Sequence, residues 1–170
     1  MPGERFASCC IAEHDRYGGG SVMIWAGIWH GGRTAAIVVE GNVTSERYKN
    51  EIILPIVIPT VRENHLIFQD DNARPHRGKI VKSAIASAEI RTLPWPARSP
   101  DLSPIEHAWD ELGRSVRNGY SRPASDLKEL ANRLKDQWEL IDQTVLNSLC
   151  DSMFERISAC EAARGGHTRF

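Results

Sequence analysis

The sequence lacks the long apolar runs, the leader and the cysteine framework that define several large classes of protein. No stretch reaches the roughly 18 apolar residues that a membrane-spanning helix requires. The opening MPGERFASCC has no basic segment followed by an apolar one, so we predict no secretory signal peptide. The four cysteines lack the regular spacing of a disulfide framework, which favours a reducing compartment. We therefore expect an intracellular protein that is not secreted and not embedded in a membrane.

Two familiar ligand-binding patterns are also missing. Cys9, Cys10 and His14 contain zinc-ligand chemistry but no C-x-x-C pair, so structural or free thiols are the favoured interpretation. The three glycines at 18–20 lack the Lys-Ser/Thr of a phosphate-binding P-loop and lead directly into a strand-like run. They are therefore interpreted as a turn.

The charge of the chain is informative through its distribution rather than its total. With 21 basic and 22 acidic residues, the net charge of −1 argues neither for nor against a nucleic-acid partner. Residues 72–122 contain nine basic and five acidic side chains, whereas residues 123–162 contain four basic and eight acidic ones. A mildly basic middle region allows a surface that faces DNA, and ordinary solvated faces explain the same pattern equally well.

The order of apolar and polar segments predicts a mixed α/β layer in a single domain of 170 residues. We predict a hairpin, a helix behind Thr44 that Pro55 should kink or end, a buried strand, a second helix and a short strand. Their ranges are 21–29 with 34–39, 45–59, 66–71, 77–88 and 90–93. Three amphipathic helices then follow behind the N-cap candidates Ser103, Ser125 and Asp142. The first of them carries an apolar stripe of Ile105, Trp109, Leu112 and Val116.

Glu106 has an interpretation that needs no ligand. Ser103-Pro104-Ile105-Glu106 fits a capping box, with Ser103 at the N-cap, Pro104 at the first helical position and Glu106 at the third. By itself this pattern favours a glutamate that satisfies the backbone donors of its own helix. Asp71, by contrast, ends the apolar run LIFQDD, and active sites of α/β sheets gather at such strand ends.

Considered together, these segments resemble the DDE transposases of the mariner superfamily, in the branch typified by the nematode Tc elements. The resembling words are PGERF, GGGSVMIWAGI, GNVTSERYKNEII, LIFQDDNARPH, LPWPARSPDLSPIEHAWDELGR and GGHTRF, and they run through the entire chain in family order. The resemblance implies a ribonuclease-H-like fold, a five-stranded mixed sheet with helices on both faces. It also implies a site of three carboxylates that hold two divalent ions, Mg²⁺ or Mn²⁺.

Carried over position by position, the resemblance makes Asp71 the second carboxylate and Glu106 the third, with 34 residues between them. Two Mg²⁺ about 4 Å apart activate a nucleophile and stabilise a leaving oxygen in phosphoryl transfer, and such hard cations prefer carboxylate oxygens. A glutamate can cap its helix and still reach a metal, so the two interpretations of Glu106 are compatible. Asp70 is a rival to Asp71, but adjacent strand residues point to opposite faces, and the spacing and the following Asn72 favour Asp71.

Four further side chains are candidate contacts to DNA phosphates: Asn72, Arg74, His76 and Arg98. For each of them, turn chemistry and solvated surface form the alternative interpretation. The two tryptophans nearest the proposed site, Trp95 and Trp109, are more typical of a core than of DNA stacking. The resemblance further implies transposon ends and target DNA as partners, a homodimer as an allowed state, no membrane contact, and a nuclear location.

The chain departs from the family pattern at its start. The first family carboxylate lies on the first, central strand, upstream of PGERF, so we expect that strand and the helix-turn-helix DNA-binding modules to be absent. The predicted domain spans residues 1–170, with a core at 1–120 and C-terminal helices at 125–161. Two functions follow as hypotheses. One is a transposase catalytic domain that cuts DNA and transfers 3′-hydroxyl ends. The other is a catalytically inactive or domesticated fragment that binds only nucleic acid or a partner.

Overall fold

The computed structural model describes residues 21–96, 99–164 and 168–170, which form two compact units. Of these residues, the first unit takes in 21–40, 100–164 and 168–170, and the second takes in 41–96 and 99. The first unit contains β1 (Met23–Trp25), β2 (Ile28–Trp29), β3 (Gly32–Arg33), β4 (Ile37–Val39), a 3₁₀ turn (Pro100–Leu102), α4 (Pro104–Asn118), α5 (Leu127–Leu140), α6 (Gln143–Asp151) and α7 (Met153–Ala162). The second unit contains α1 (Ser45–Arg47), a π-helical segment (Tyr48–Val57), α2 (Ile58–Glu63) and α3 (Lys79–Ser87).

The predicted hairpin is confirmed, but as two short ladders rather than one. β1 pairs antiparallel with β4, and β2 pairs with β3 around the turn at His30 and Gly31. Between the ladders, Thr34 replaces regular pairing: its backbone N–H donates to the Gly27 carbonyl at 2.9 Å and its hydroxyl accepts from the Gly27 N–H at 2.8 Å. Gly31 has a φ of 95°, which a side chain would strain, so the tight turn explains this glycine.

The core of the first unit lies where the hairpin meets the C-terminal helices. Trp138 of α5 is fully buried, and its ring lies 5.1 Å from that of Trp109 on α4. The Trp138 indole N–H donates to the Thr34 carbonyl at 2.8 Å, which ties α5 to the hairpin without leaving a buried donor unpaired. Leu112 and Val116 are buried in the same cluster. The predicted apolar stripe of α4 is therefore confirmed, and Trp109 is a core residue.

The helix ends differ in detail from the prediction. The N-cap of α5 is Asp126, not Ser125, because the Asp126 carboxylate accepts the Glu129 backbone N–H at 2.7 Å. Ser125 instead donates its backbone N–H and its hydroxyl to the Glu129 carboxylate. Asp142 caps α6 as predicted, accepting from the Thr144 N–H at 2.8 Å. The third predicted helix is divided into α6 and α7 at Ser152.

The second unit departs furthest from the predicted pattern. Pro55 does not end its helix: the backbone continues from Ser45 to Glu63 through the π-helical segment, whose wider turn accommodates a residue without an N–H. The helix predicted at 77–88 is shorter, at 79–87, because Gly78 is its N-cap. The core of this unit is apolar and comes from both helices; its fully buried members include Ile52, Ile53 and Val81.

The two strands predicted in the second unit, at 66–71 and 90–93, are reduced to a single parallel bridge between Phe68 and Thr92. Two hydrogen bonds form it, from the Phe68 N–H to the Arg91 carbonyl at 2.9 Å and from the Leu93 N–H to the Phe68 carbonyl at 2.8 Å. In the described part of the chain, the β-structure therefore consists of two two-stranded sheets and this bridge, not of a five-stranded sheet. Within those same ranges, no helix has both the length and the apolar content that crossing a membrane would demand.

Candidate metal and nucleic-acid site

Asp71 lies in a turn that begins just after the Phe68 bridge. The Asp70 carboxylate accepts the Asn72 N–H at 2.9 Å, and Oδ1 of Asp71 accepts the Ala73 N–H at 2.9 Å. Asn72 has a φ of 61°, a left-handed conformation that asparagine tolerates better than most residues. Residues 69–73 are not in a strand, so the alternation that was expected to separate Asp70 from Asp71 does not apply. Both carboxylates remain at one turn.

His76 lies against this turn and is buried, with 7% of its surface exposed. Its ring stacks on Tyr48 at a centroid distance of 3.9 Å and an angle of 20°. Its Nδ1 lies 2.6 Å from Oδ1 of Asp71, yet this buried nitrogen has no hydrogen bond of acceptable geometry. The contact has the distance of an ion pair without the alignment of a hydrogen bond, so Asp71 gives this nitrogen no directed partner.

Together, Asp70, Asp71 and His76 offer ligand atoms that all lie within 4.8 Å of one another. In the described part of the chain, these three residues form the one cluster of three or more side chains that could bind a metal ion. Asp70, Asn72 and His76 also line a cavity of about 390 Å³, which Trp95 and Lys82 border as well. Small ligands or water therefore have room beside the turn.

The predicted phosphate contacts occupy different environments. The Asn72 side chain donates to the Trp95 carbonyl at 2.8 Å, which closes the turn onto the proline-rich loop. Arg74 is exposed, whereas His76 is buried. Arg98 lies outside the described residues, as do Cys9, Cys10 and His14 of the disfavoured zinc pattern. The phosphate contacts of all four candidates stay predictions.

Glu106 is half-buried at the third position of α4. Ser103 is the N-cap and Pro104 the first helical residue, as predicted. The capping box is not complete, however, because the buried Ser103 side chain makes no cap hydrogen bond. The Glu106 backbone N–H instead reaches the Ser103 carbonyl at 3.3 Å. Capping by Ser103 therefore does not explain the sequence pattern around Glu106.

A buried arginine, which the sequence did not reveal, holds the start of α4. Arg156 of α7 is 1% exposed and donates to the Asp101 carbonyl at 2.9 Å, and its Nη2 lies 3.1 Å from Nδ1 of His107. The C-terminal Thr168 donates its N–H and hydroxyl to the Asp101 carboxylate, and the Phe170 ring covers the guanidinium at 4.7 Å. Burial, followed by the positive charge of Arg156, lowers the pKa of His107. The residues on either side of Glu106 are thus fixed by long-range contacts.

Sequence reasoning missed the grouping of His76 with both aspartates and the contacts of Arg156. For His76 a signal existed, since a histidine five residues beyond an aspartate can fold back across a turn that contains a proline. The sequence contains no such signal for Arg156, because its partners Asp101 and His107 lie 55 and 49 residues away. Contacts at such separations leave no periodic trace in a single sequence.

Comparison with known proteins places these features in a family. A family model described as DDE superfamily endonuclease matches residues 3–131. The Tc1 transposase of Caenorhabditis elegans is 34% identical over 171 residues, and the Tcb2 transposase of Caenorhabditis briggsae is 30% identical over the same length. Each match covers 99% of this chain and 61% of the relative, so the chain spans about three-fifths of the length of these proteins.

Solved structures show the same fold at lower sequence identity. The Mos1 transposase catalytic domain with Raltegravir and Mg superposes with a TM-score of 0.71 at 20% identity, covering 87% of this chain and 76% of that one. A Mos1 paired-end complex with the left transposon end gives a TM-score of 0.77 at 20% identity, covering 99% of this chain and 50% of that one. The chain therefore has a mixed α/β fold that matches the ribonuclease-H-like catalytic domain of Mos1.

Proposed function

The chain belongs to the DDE superfamily endonucleases, in their Tc1/mariner branch, and from this we propose that it forms the catalytic domain of a DNA transposase. Its reaction would be DNA strand cleavage followed by transfer of a 3′-hydroxyl end into target DNA, that is, DNA integration.

The donor set suits Mg²⁺ or Mn²⁺. Asp71 and Glu106 provide carboxylate oxygens, the ligands that hard divalent cations prefer. When bound, a pair of such ions supplies a more acidic nucleophile and charge stabilisation at the leaving oxygen. Structures of the Mos1 catalytic domain contain Mg or Mn, which supports the choice of ion without fixing the ligands in this chain.

Each carboxylate is restrained by contacts within its own unit. Oδ1 of Asp71 is held by the Ala73 N–H and by the nearby His76, so the carboxylate does not rotate freely. Glu106 is carried by the first turn of α4, which contacts from Arg156 and Thr168 to neighbouring residues keep in place. Such restraint reduces the conformational entropy lost when a ligand is bound.

DNA is the proposed partner, as transposon ends and as target. Arg74 and Arg98 would contact phosphates through the charged, often paired N–H donors of the guanidinium, and Asn72 and His76 through single side-chain N–H donors. The basic balance of residues 72–122 supports this assignment. Mos1 forms complexes with paired transposon ends, which supports a DNA-bound, dimer-compatible state. A nuclear location is part of the proposal.

The observation that carries the proposal is the position of two carboxylates within the family match. Asp71 follows the bridge between Phe68 and Thr92, Glu106 occupies the third residue of α4, and both carboxylates lie inside residues 3–131.

The experiment is a DNA-joining assay with the purified chain, an oligonucleotide bearing a free 3′-hydroxyl, a plasmid target and Mg²⁺ or Mn²⁺. We expect weak joining, because the family site needs three carboxylates and two are assigned here. That joining should fall by at least about a hundredfold in Asp71→Asn and in Glu106→Gln. Asp136→Asn, an exposed carboxylate of α5, is the matched control and should retain it. Equal signals in all four proteins, or none in any, would contradict catalysis and leave a module that binds DNA or a partner.

A further inference from the structure

We infer that Asp70, Asp71 and His76 form a divalent metal site that is complete within the second unit and selects a transition-metal ion such as Mn²⁺ over Mg²⁺. This inference deepens the proposed function, since Asp71 is common to both. It differs in its ligands: it uses a histidine and the rival aspartate, and it does not require Glu106.

The first argument is geometric. One ligand atom from each of the three side chains lies within 4.8 Å of the others, so small side-chain rotations would bring all three within bonding distance of one ion. Oδ1 of Asp71 and Nδ1 of His76 are 2.6 Å apart, whereas two ligands at a right angle, with bonds of about 2.1 Å, lie about 3 Å apart. These two atoms would therefore need to separate by only a few tenths of an ångström to share an ion.

The second argument is the state of the His76 ring. Its Nδ1 is buried, points toward the aspartates and makes no aligned hydrogen bond. A buried polar atom left without a directed partner destabilises the folded state, and each instance in a folded protein calls for an explanation. A metal ion accepts the imidazole lone pair and removes that cost. The Tyr48 stack fixes the ring orientation, as a metal-ligating histidine requires.

The third argument concerns ion selectivity. Mg²⁺ demands oxygen ligands and holds its water tightly, whereas an imidazole nitrogen suits transition-metal ions. Two carboxylates and one imidazole therefore favour Mn²⁺ or a later first-row ion over Mg²⁺. Open coordination positions are available, because Asp70 and His76 face the cavity of about 390 Å³. The exposed Lys82 on the same cavity provides a positive charge for an anionic ligand of the ion, such as a phosphate.

The experiment measures nitrogen coordination directly, by pulsed electron paramagnetic resonance of Mn²⁺ bound to the full chain. We expect a ¹⁴N coupling from a histidine in the wild-type protein. It should persist in Glu106→Gln and disappear in His76→Gln. A tenfold excess of Mg²⁺ over Mn²⁺ should not abolish it. Because Mn²⁺ binds thiols poorly, the four cysteines do not confuse the result.

Two further variants keep the test decisive if His76→Gln fails to fold. Asp70→Asn acts from the cavity side of the site and should weaken Mn²⁺ binding by about tenfold or more, with the ¹⁴N coupling retained at saturation. His30→Gln, which removes an exposed histidine, is the matched control and should change neither quantity.

The outcomes separate this inference from the proposed function. Bound Mn²⁺ without ¹⁴N coupling, lost on Glu106→Gln, would overturn the inference and leave the proposed function standing. A ¹⁴N coupling that survives His76→Gln would also overturn the inference. So would an Asp70→Asn variant that binds Mn²⁺ with wild-type affinity. Coupling that survives Glu106→Gln, with no effect of that change on DNA joining, would support the inference and contradict the proposed function.

Discussion

The two units differ in how their polar groups are used. In the first, the buried polar groups largely serve packing: Trp138 bonds the hairpin, and Arg156 fixes the start of α4. In the second, two carboxylates and a buried histidine converge on a turn, and the Nδ1 of that histidine has no aligned hydrogen bond. The second unit also contains the π-helical segment and positive φ angles at His65, Asn72 and Glu89.

Among the described residues, irregular backbone is thus found mainly in the second unit. Irregular backbone and imperfectly satisfied polar groups cost stability, and they cluster where a site needs side chains in a particular place. Glu106 in the first unit lies on a regular helix, whereas Asp71 in the second lies beside Asn72, whose φ is 61°. We expect substitutions in the first unit to act mainly on stability, and those around the turn to act on metal binding as well.

The largest effect on stability should come from Trp138→Ala in the first unit. The side chain is fully buried against Trp109 and bonds the Thr34 carbonyl, so its removal leaves a cavity and an unpaired acceptor. We expect a loss of about 3–5 kcal/mol in the free energy of unfolding, measured by urea denaturation. Phe154→Ala, at a side chain that is 80% exposed, is the control and should be nearly neutral. Equal losses of unfolding free energy in the two variants would contradict the claim that the burial of Trp138 stabilises this core.

A smaller effect should follow Gly78→Ala in the second unit. A Cβ at this position would lie 2.5 Å from the Cβ of Ser45, closer than two carbon atoms can pack. We expect about 1–3 kcal/mol of destabilisation, with faster hydrogen exchange in α3 than in α5. Adding Ser45→Gly should recover most of the loss, because it removes the atoms that clash. If the second substitution gives no recovery, the close approach of these residues is not the cause.

The N-cap of α5 should contribute less. Asp126→Ala removes the acceptor for the Glu129 N–H and should cost about 1 kcal/mol of unfolding free energy. Asp136→Ala makes the same chemical change at an exposed position within α5 and should cost less. A larger cost for Asp136→Ala would place the cap elsewhere. The comparison would then show that the first unit does not depend on its helix ends.

The smallest effect should be the pH dependence that His107 contributes. Burial and the adjacent Arg156 lower the pKa of this histidine, so the unfolded chain binds its proton more readily than the folded one. The stability from the neutral ring is therefore present above the ordinary value of 6.5 and is lost as the pH falls below it. Thermal midpoints between about pH 7.5 and 5.5 should fall less steeply in His107→Gln than in the wild type, and His30→Gln should match the wild type. Identical slopes in all three would show that His107 is not coupled to folding.

The sequence predicted the first unit better than the second, for physical reasons. The stripe of α4 and the cap at Asp142 are local patterns, and the packing of the core preserves them. Ser125 and Asp126 are both good N-caps, and Asp126 is the cap because it accepts the Glu129 backbone N–H, whereas Ser125 bonds the Glu129 carboxylate. The strand at 66–71 was overestimated because its apolar residues suit a strand, whereas the turn bonds of Asp70 and Asp71 end the pairing after Phe68.

The candidate site was predictable in its parts but not in its assembly. Asp71 and Glu106 were identified as candidate site residues from their spacing and from the family resemblance. The role proposed for them stays a prediction. The approach of His76 to Asp71 depends on the Tyr48 stack, which joins residues 28 positions apart. No single-sequence pattern carries that information.

The central claim, proposed from the family match, is that Asp71 and Glu106 are both metal ligands in this chain, and iron-mediated cleavage of the chain tests it most directly. Fe²⁺ with ascorbate and peroxide generates radicals that cut the backbone within a few ångströms of the bound ion. We predict cuts near residues 71 and 106 in the wild type, with the cut near 106 suppressed by Mg²⁺ and lost in Glu106→Gln. The cut near residue 71 is less informative, because a site at Asp70, Asp71 and His76 would preserve it in Glu106→Gln. A cut near 106 that persists in Glu106→Gln, or no cut there in the wild type, would contradict the account.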